Sequence, residues 1–114
     1  MKLSIVDRDK CLQARTRQLA RRRLFFALSR FDSKIDEVTL TVRDLNGPKG
    51  GIDKRCQLRI KLRYGDDVIL TNLESNVEAC VSRLADRAGR TIARRISRFQ
   101  DTYRRPRFSS VGER

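Results

Sequence analysis

The 114-residue sequence contains no histidine and no tryptophan, and only one methionine, two prolines and three cysteines. Without histidine it lacks both the usual physiological acid–base group and the commonest metal ligand. Cys11, Cys56 and Cys80 are odd in number and show no C-x-x-C spacing, which makes a poor zinc site. The carboxylates are scattered over turns, so no set of nucleophile, base and stabiliser can be assembled. No enzyme activity, metal or cofactor is expected. Cys56 and Cys80 fall on apolar faces and read as small core residues in a reducing cytosol.

Aromatic residues make up only 6% of the chain, so the core must be built from Leu, Ile, Val and Ala. No apolar run approaches the roughly 20 residues of a membrane span. The apolar run in MKLSIVDRDK is too short for a signal peptide. A cytoplasmic protein is expected, of one domain.

What the sequence has in excess is positive charge. The formal net charge is +13, which points to a polyanionic partner. Its placement says more than its total. Residues 8–31 hold eight basic side chains against one acidic, and residues 75–114 hold ten against four. Residues 32–74 hold eight of each. The excess therefore lies in two predicted helices and a tail, while the strands between them are balanced.

The stretch from Glu74 to Phe99 carries most of the functional reading. Val77, Val81, Leu84, Ala85, Ala88, Ile92, Ile96 and Phe99 recur at spacings of one to four that place them on one helical face. Arg83, Arg87, Arg90, Arg94 and Arg98 form a second row beside that stripe, over about a quarter of the circumference. Between Val77 and Phe99 the only acids are Glu78 and Asp86, so the row is not a sign-alternating surface face. Phosphate binding is the chemistry such a row suits.

Earlier in the chain, Leu3 and Ile5 predict a short strand, with Asp7 or Asp9 capping the helix that follows. That helix is expected from about Lys10 to Phe31. Its apolar stripe is Ala20, Leu24, Ala27, Leu28 and Phe31, widened by Leu12, Leu19 and Phe26. Arg15 and Arg22 point away from the stripe, Arg21 lies at one edge, and Arg17 and Arg23 snorkel outward from its margins. Phe25 falls close to the polar side, with partial burial expected over stacking on a base.

Ile35, Val38, Leu40 and Val42 predict a second strand, with Thr39, Thr41 and Arg43 on the opposite face. Residues 44–53 hold three glycines and a proline, a strong loop signal without the spacing or helix of a nucleotide-binding P-loop. Lys49 and Lys54 could touch RNA there. The third strand, Arg55 to Arg63, alternates between Cys56, Leu58, Ile60, Leu62 and a comb of Arg55, Gln57, Arg59, Lys61, Arg63. Tyr64 to Asp67 forms a hairpin in which the two aspartates read as solvated turn residues, and Val68 to Leu73 a fourth strand. Residues 101–114 lack periodicity and are expected to be a basic, disordered tail, with Tyr103, Arg104, Arg105, Arg107 and Phe108 available to RNA.

The predicted order is β-α-β-β-β-α, an α+β fold in two layers with both helices on one face of a four-stranded sheet. The comb of the third strand falls on the open face, where cross-strand carboxylates would offset it or it would serve as a second contact.

This order, the chain length and the segment from Val42 to Cys56, centred on Asn46-Gly47-Pro48-Lys49-Gly50-Gly51, resemble the bacterial ribosome hibernation-promoting factor family. Its members are also called ribosome-associated inhibitor or sigma-54 modulation proteins. The segments Arg23 to Phe31 and Ala85 to Arg90 add to the likeness, which covers residues 1–99. The resemblance implies two helices packed on a four-stranded sheet. It also implies binding in the channel of the small ribosomal subunit, contact with 16S rRNA, and exclusion of mRNA and tRNA. Its use of basic residues on both helices matches Arg21 and Arg22 on the first and Arg83, Arg87, Arg90, Arg94 and Arg98 on the second. Arg15, pointing away from the first helix's apolar stripe, joins them as a candidate RNA-binding residue. The family's long forms carry a further dimerisation domain, which is not expected within 114 residues.

The expectation is a ribosome-binding domain over residues 1–100, with no membrane or small-molecule partner. Three alternatives stand beside it. A stand-alone double-stranded RNA-binding protein would begin with a helix rather than a strand. An enzyme lacks its catalytic set, and an amphipathic membrane-surface protein leaves the strands without a purpose.

Overall fold

The computed structural model describes residues 1–45 and 54–110, with side chains through residue 98. The loop expected over 44–53, with Lys49, lies mostly outside the described residues; Asp44, Leu45 and Lys54 are within them. Strand β1 is Lys2–Asp7, helix α1 Ala14–Leu28, strand β2 Ile35–Asp44, strand β3 Lys54–Leu62, strand β4 Val68–Glu74 and helix α2 Val77–Ser110. A short 3-10 segment, Ser29–Lys34, joins α1 to β2. The strands form one sheet in the order β1-β2-β3-β4. β1 runs parallel to β2, which requires a crossover, and α1 supplies it. The other two pairings are antiparallel.

Strand alternation decides which side of the sheet is covered. Val38, Leu40 and Val42 of β2 and Cys56, Leu58 and Ile60 of β3 are fully buried. Against them pack Leu24 and Leu28 of α1 and Val81, Leu84, Ala85, Ala88 and Ile92 of α2. Each fully buried Leu, Ile or Val contributes about 1.5–3 kcal/mol by leaving water. Ile35 and Val38 are both buried although three residues apart, and a register irregularity between Ile35 and Glu37 restores the alternation. The two-layer α+β arrangement is the one expected, with both helices on a single face.

Several boundaries differ from expectation for local reasons. α1 begins at Ala14 rather than Lys10, because Lys10 adopts a left-handed conformation at φ 52° that interrupts helical backbone. Neither aspartate caps it. The Asp7 carboxylate accepts from the backbone N–H groups of Cys11 (3.0 Å) and Leu12 (2.8 Å), clamping the turn before the helix. Asp9 reaches across to β2, accepting from the Asp44 backbone N–H at 2.8 Å and Arg43 Nε at 3.1 Å. α2 begins at Val77 instead of Glu74, because the Asn76 side-chain oxygen accepts from the Ala79 N–H at 3.0 Å. Glu74 remains in β4.

Phe26 is 77% exposed and does not widen the core. At about 100° per residue it lies roughly opposite Leu24, on the outer surface of α1. Phe25, 55% exposed, sits between the two environments, as its place on the helix suggests. The backbone of α2 stays helical to Ser110, so residues 101–110 are helical where a disordered tail is expected. Arg104, Arg105 and Arg107 are good helix formers, and the helical backbone runs on through Pro106. Residues 111–114 lie outside the described residues, as do the tail side chains Tyr103, Arg104, Arg105, Arg107 and Phe108.

Cys56 and Cys80 are buried, as expected, and Cys11 is half-buried. The Cys80 thiol donates to the Asn72 carbonyl at 3.3 Å. The adjacent Cys80 sulfur and burial together push the Cys56 thiol far above its ordinary range.

Candidate nucleic-acid interface

The candidate arginines divide into two groups when their bonds are followed. One group reaches the edges of the sheet. Arg21 on α1 donates through Nη1 to the Leu3 carbonyl at 3.1 Å, and Arg17 does the same to the Ile5 carbonyl at 3.1 Å. Leu3 and Ile5 share one parity on edge strand β1, so their outward carbonyls have no strand to pair with. At the other edge, Arg87 on α2 donates to the Thr71 carbonyl of β4 at 3.0 Å. Arg95 donates to the Asp66 carbonyl in the preceding hairpin at 3.1 Å. Arg83 pairs with Glu74 at 3.1 Å, also at the β4 edge. The helices thus seal both open sides of the sheet with guanidinium groups.

The second group has no such duty. Arg15 and Arg22 on α1, and Arg90, Arg94 and Arg98 on α2, are exposed and make no hydrogen bond or ion pair among the described residues. Helical geometry puts Arg15 and Arg22 on the side of α1 away from Leu24 and Leu28. The α1 and α2 surfaces are tied together by Arg23, which meets Asp86 at 2.8 Å, and by Gly89, whose backbone lies close to Arg30 and Ala27. Arg23 therefore turns inward to the helix–helix seam instead of snorkelling away.

A guanidinium has five donors, so Arg21 and Arg87 keep most of theirs after one bond to a carbonyl. The free group offers every donor to an incoming phosphate, at no cost in broken internal bonds. Facing solvent, these groups carry a field that attracts polyanions and weakens as salt rises.

The open face of the sheet behaves differently. Arg59 pairs with Asp67 at 2.8 Å, Arg63 with Asp36 at 3.2 Å, and Lys61 stands opposite Glu37 in the β2–β3 register. Two of the comb's four cations, Arg59 and Arg63, are thereby paired inside the domain. Asp67 is held by Arg59 as a structural carboxylate of the hairpin, in which Gly65 takes the left-handed φ of 93° that the turn requires.

The edge-sealing bonds of Arg17, Arg21, Arg87 and Arg95 were not visible in the sequence. The signal available for them was indirect: helix arginines at the margins of an apolar stripe, in a fold whose sheet has two open edges.

No protein-family model matches the sequence, and no curated protein matches it. Solved structures do match the fold. The Protein Y N-terminal domain of Thermus thermophilus superposes with a TM-score of 0.64 at 18% identity, covering 82% of this chain and 98% of that one. A ribosomal subunit interface protein from Coxiella burnetii superposes with a TM-score of 0.66 at 13% identity, covering 85% and 99%. At such low identity the likeness is one of backbone architecture, and it spans nearly the whole of both structures. The chain has the fold of the Protein Y N-terminal domain and of the ribosomal subunit interface protein.

Proposed function

We propose that this chain is a non-catalytic, cytoplasmic translation inhibitor of the ribosome hibernation type. It binds the small ribosomal subunit through 16S rRNA and blocks the mRNA and tRNA channel by occupying it. Arg15, Arg22, Arg90, Arg94 and Arg98 supply the principal phosphate contacts, with Arg21, Arg83 and Arg87 adding donors at the flanks. The observation that carries this reading is the set of five exposed helix arginines without partners among the described residues, on a fold shared with a ribosomal subunit interface protein. Guanidinium groups presented by rigid helices read RNA through its phosphates and shape rather than its sequence.

Sedimentation with ribosomes through a sucrose gradient at low and at raised salt tests it. Co-migration with small subunits or whole ribosomes, weakening with salt, is the expected result. The chain remaining at the top of the gradient at low salt would overturn the proposal. Equal affinity for bare duplex RNA and for ribosomes would favour a general double-stranded RNA binder instead. That reading is already disfavoured by β1, which opens the fold with a strand.

A further inference from the structure

One end of the open sheet face lacks the carboxylates that pair Arg59 and Arg63 further along it. Arg43 and Arg55 are directly opposed in the β2–β3 register, a like-charge placement that destabilises an antiparallel pair. Arg8 joins them because its backbone N–H donates to the Val42 carbonyl at 3.2 Å, extending β1 alongside β2. These three arginines, with Thr41 and Gln57, line a cleft of about 300 Å³. Every lining side chain is a hydrogen-bond donor, and none is a carboxylate. Asp9 pairs with Arg43 at 3.1 Å from outside the lining. Arg8 and Arg55 are exposed and have no partner among the described residues.

The contrast within one strand is what makes this a site. Arg59 and Arg63 have carboxylate partners and Lys61 faces Glu37 across the register, whereas Arg55 faces a second arginine. Two uncompensated guanidiniums beside a third, around a cleft floored by a hydroxyl and an amide, suit a tetrahedral oxyanion. Thr41 and Gln57 are themselves directly opposed in the register, which places their donors side by side between the arginines. At about 30 Å³ of liquid volume per water, the cleft has room for a phosphate group with part of its hydration.

We propose that Arg8, Arg43 and Arg55, with Thr41 and Gln57, bind a backbone phosphate of a nucleic-acid strand on the face of the sheet opposite the helices. The domain is then gripped on two sides, by one RNA segment along the helix arginines and by a second at this cleft. The inference rests on the polyanion-binding reading above, and assigns it a second surface.

Arginine Nε–Hε resonances of the ¹⁵N-labelled full chain test it, followed during titration with a short single-stranded RNA and, separately, with inorganic phosphate. The site predicts that Arg8 and Arg55 shift with both probes, and with RNA at a far lower concentration. Arg8→Gln with Arg55→Gln, which removes no internal ion pair, should weaken binding to ribosomes about tenfold at low salt and make the salt slope shallower by about one to two. Shifts with phosphate but not RNA would overturn assignment to a nucleic-acid strand. Arg8 and Arg55 unmoved by either probe while Arg90 and Arg94 shift would overturn the cleft and leave the helix surface standing. No shift in either group would overturn both.

Discussion

Arg87 donates to the backbone carbonyl of Thr71 at 3.0 Å, so a residue of the outer helix surface also closes the β4 edge. Arg21 repeats the arrangement at the β1 edge through the Leu3 carbonyl. The same residue type therefore does two jobs in this chain, and mutation separates them. Arg21→Ala and Arg87→Ala should each lower stability by about 0.5–1.5 kcal/mol, the net worth of one hydrogen bond. Arg90→Ala and Arg94→Ala should stay within about 0.5 kcal/mol of wild type. Urea denaturation of the four variants checks the split, and equal losses in all of them would contradict it.

Gly89 is buried in α2 with room to spare. A Cβ there would meet the Arg30 side chain at 3.6 Å and the Ala27 carbonyl at 3.9 Å, both ordinary contacts. Gly89→Ala gains helix propensity of about 0.8–1.0 kcal/mol without a clash. The melting temperature should rise by several degrees in differential scanning calorimetry. A fall would mean that the two helices sit closer than these distances indicate.

Leu58 lies at the centre of the sheet and is fully buried under the helices. Leu58→Ala should destabilise by about 2–5 kcal/mol through lost burial and a residual cavity. Ile69→Ala, on the exposed face of β4, should cost far less. Comparable losses for the two, measured by denaturant titration, would contradict the assignment of covered and open faces.

Asp9 gives the fold a defined acid sensitivity. The Asp44 backbone N–H and the Arg43 side chain hold its carboxyl below the ordinary value of 3.8. A carboxyl whose folded value is depressed contributes stability above its unfolded value and loses that contribution as pH falls through the folded one. The contribution of Asp9 should therefore be complete at neutral pH and fade below about pH 4. Wild type should be more stable than Asp9→Asn at pH 7, with the gap narrowing towards pH 3. A gap of constant size across that range would remove Asp9 from the acid response.

The thiols should react in the order of their burial. Cys56 and Cys80 are fully buried and should resist a thiol reagent until the chain unfolds. Cys11 is half-buried, and burial together with the Asp7 carboxylate raises its thiol, so it should react slowly rather than not at all. Counting modified thiols by mass spectrometry with and without denaturant checks this. Rapid modification of all three in the native protein would place the core elsewhere.

The sheet and the helix stripes were legible because their periods were strong. The third strand's alternation from Cys56 to Leu62 and the second helix's stripe from Val77 to Ile92 both appear as read. The helix starts were less legible, since they depend on single residues. Lys10 in a left-handed conformation and Asn76 as a cap moved the two starts by several residues. Phe26 differs from its expected place because its angular position on α1 points it to solvent despite its hydrophobicity. The candidate site was legible as a set of arginines and not as a set of bonds. Periodicity gave their faces, but their partners are carbonyls and carboxylates distant in sequence, such as Leu3 for Arg21 and Asp86 for Arg23.

In the proposed function, exposed helix arginines without internal duties bind the ribosome. Arg90→Glu with Arg94→Glu tests it most directly, because neither side chain holds the fold together among the described residues. The variant should keep the circular dichroism spectrum and melting temperature of wild type, and should no longer travel with small subunits or whole ribosomes on a low-salt sucrose gradient. Undiminished co-sedimentation of a correctly folded variant would show that these arginines do not bind the ribosome.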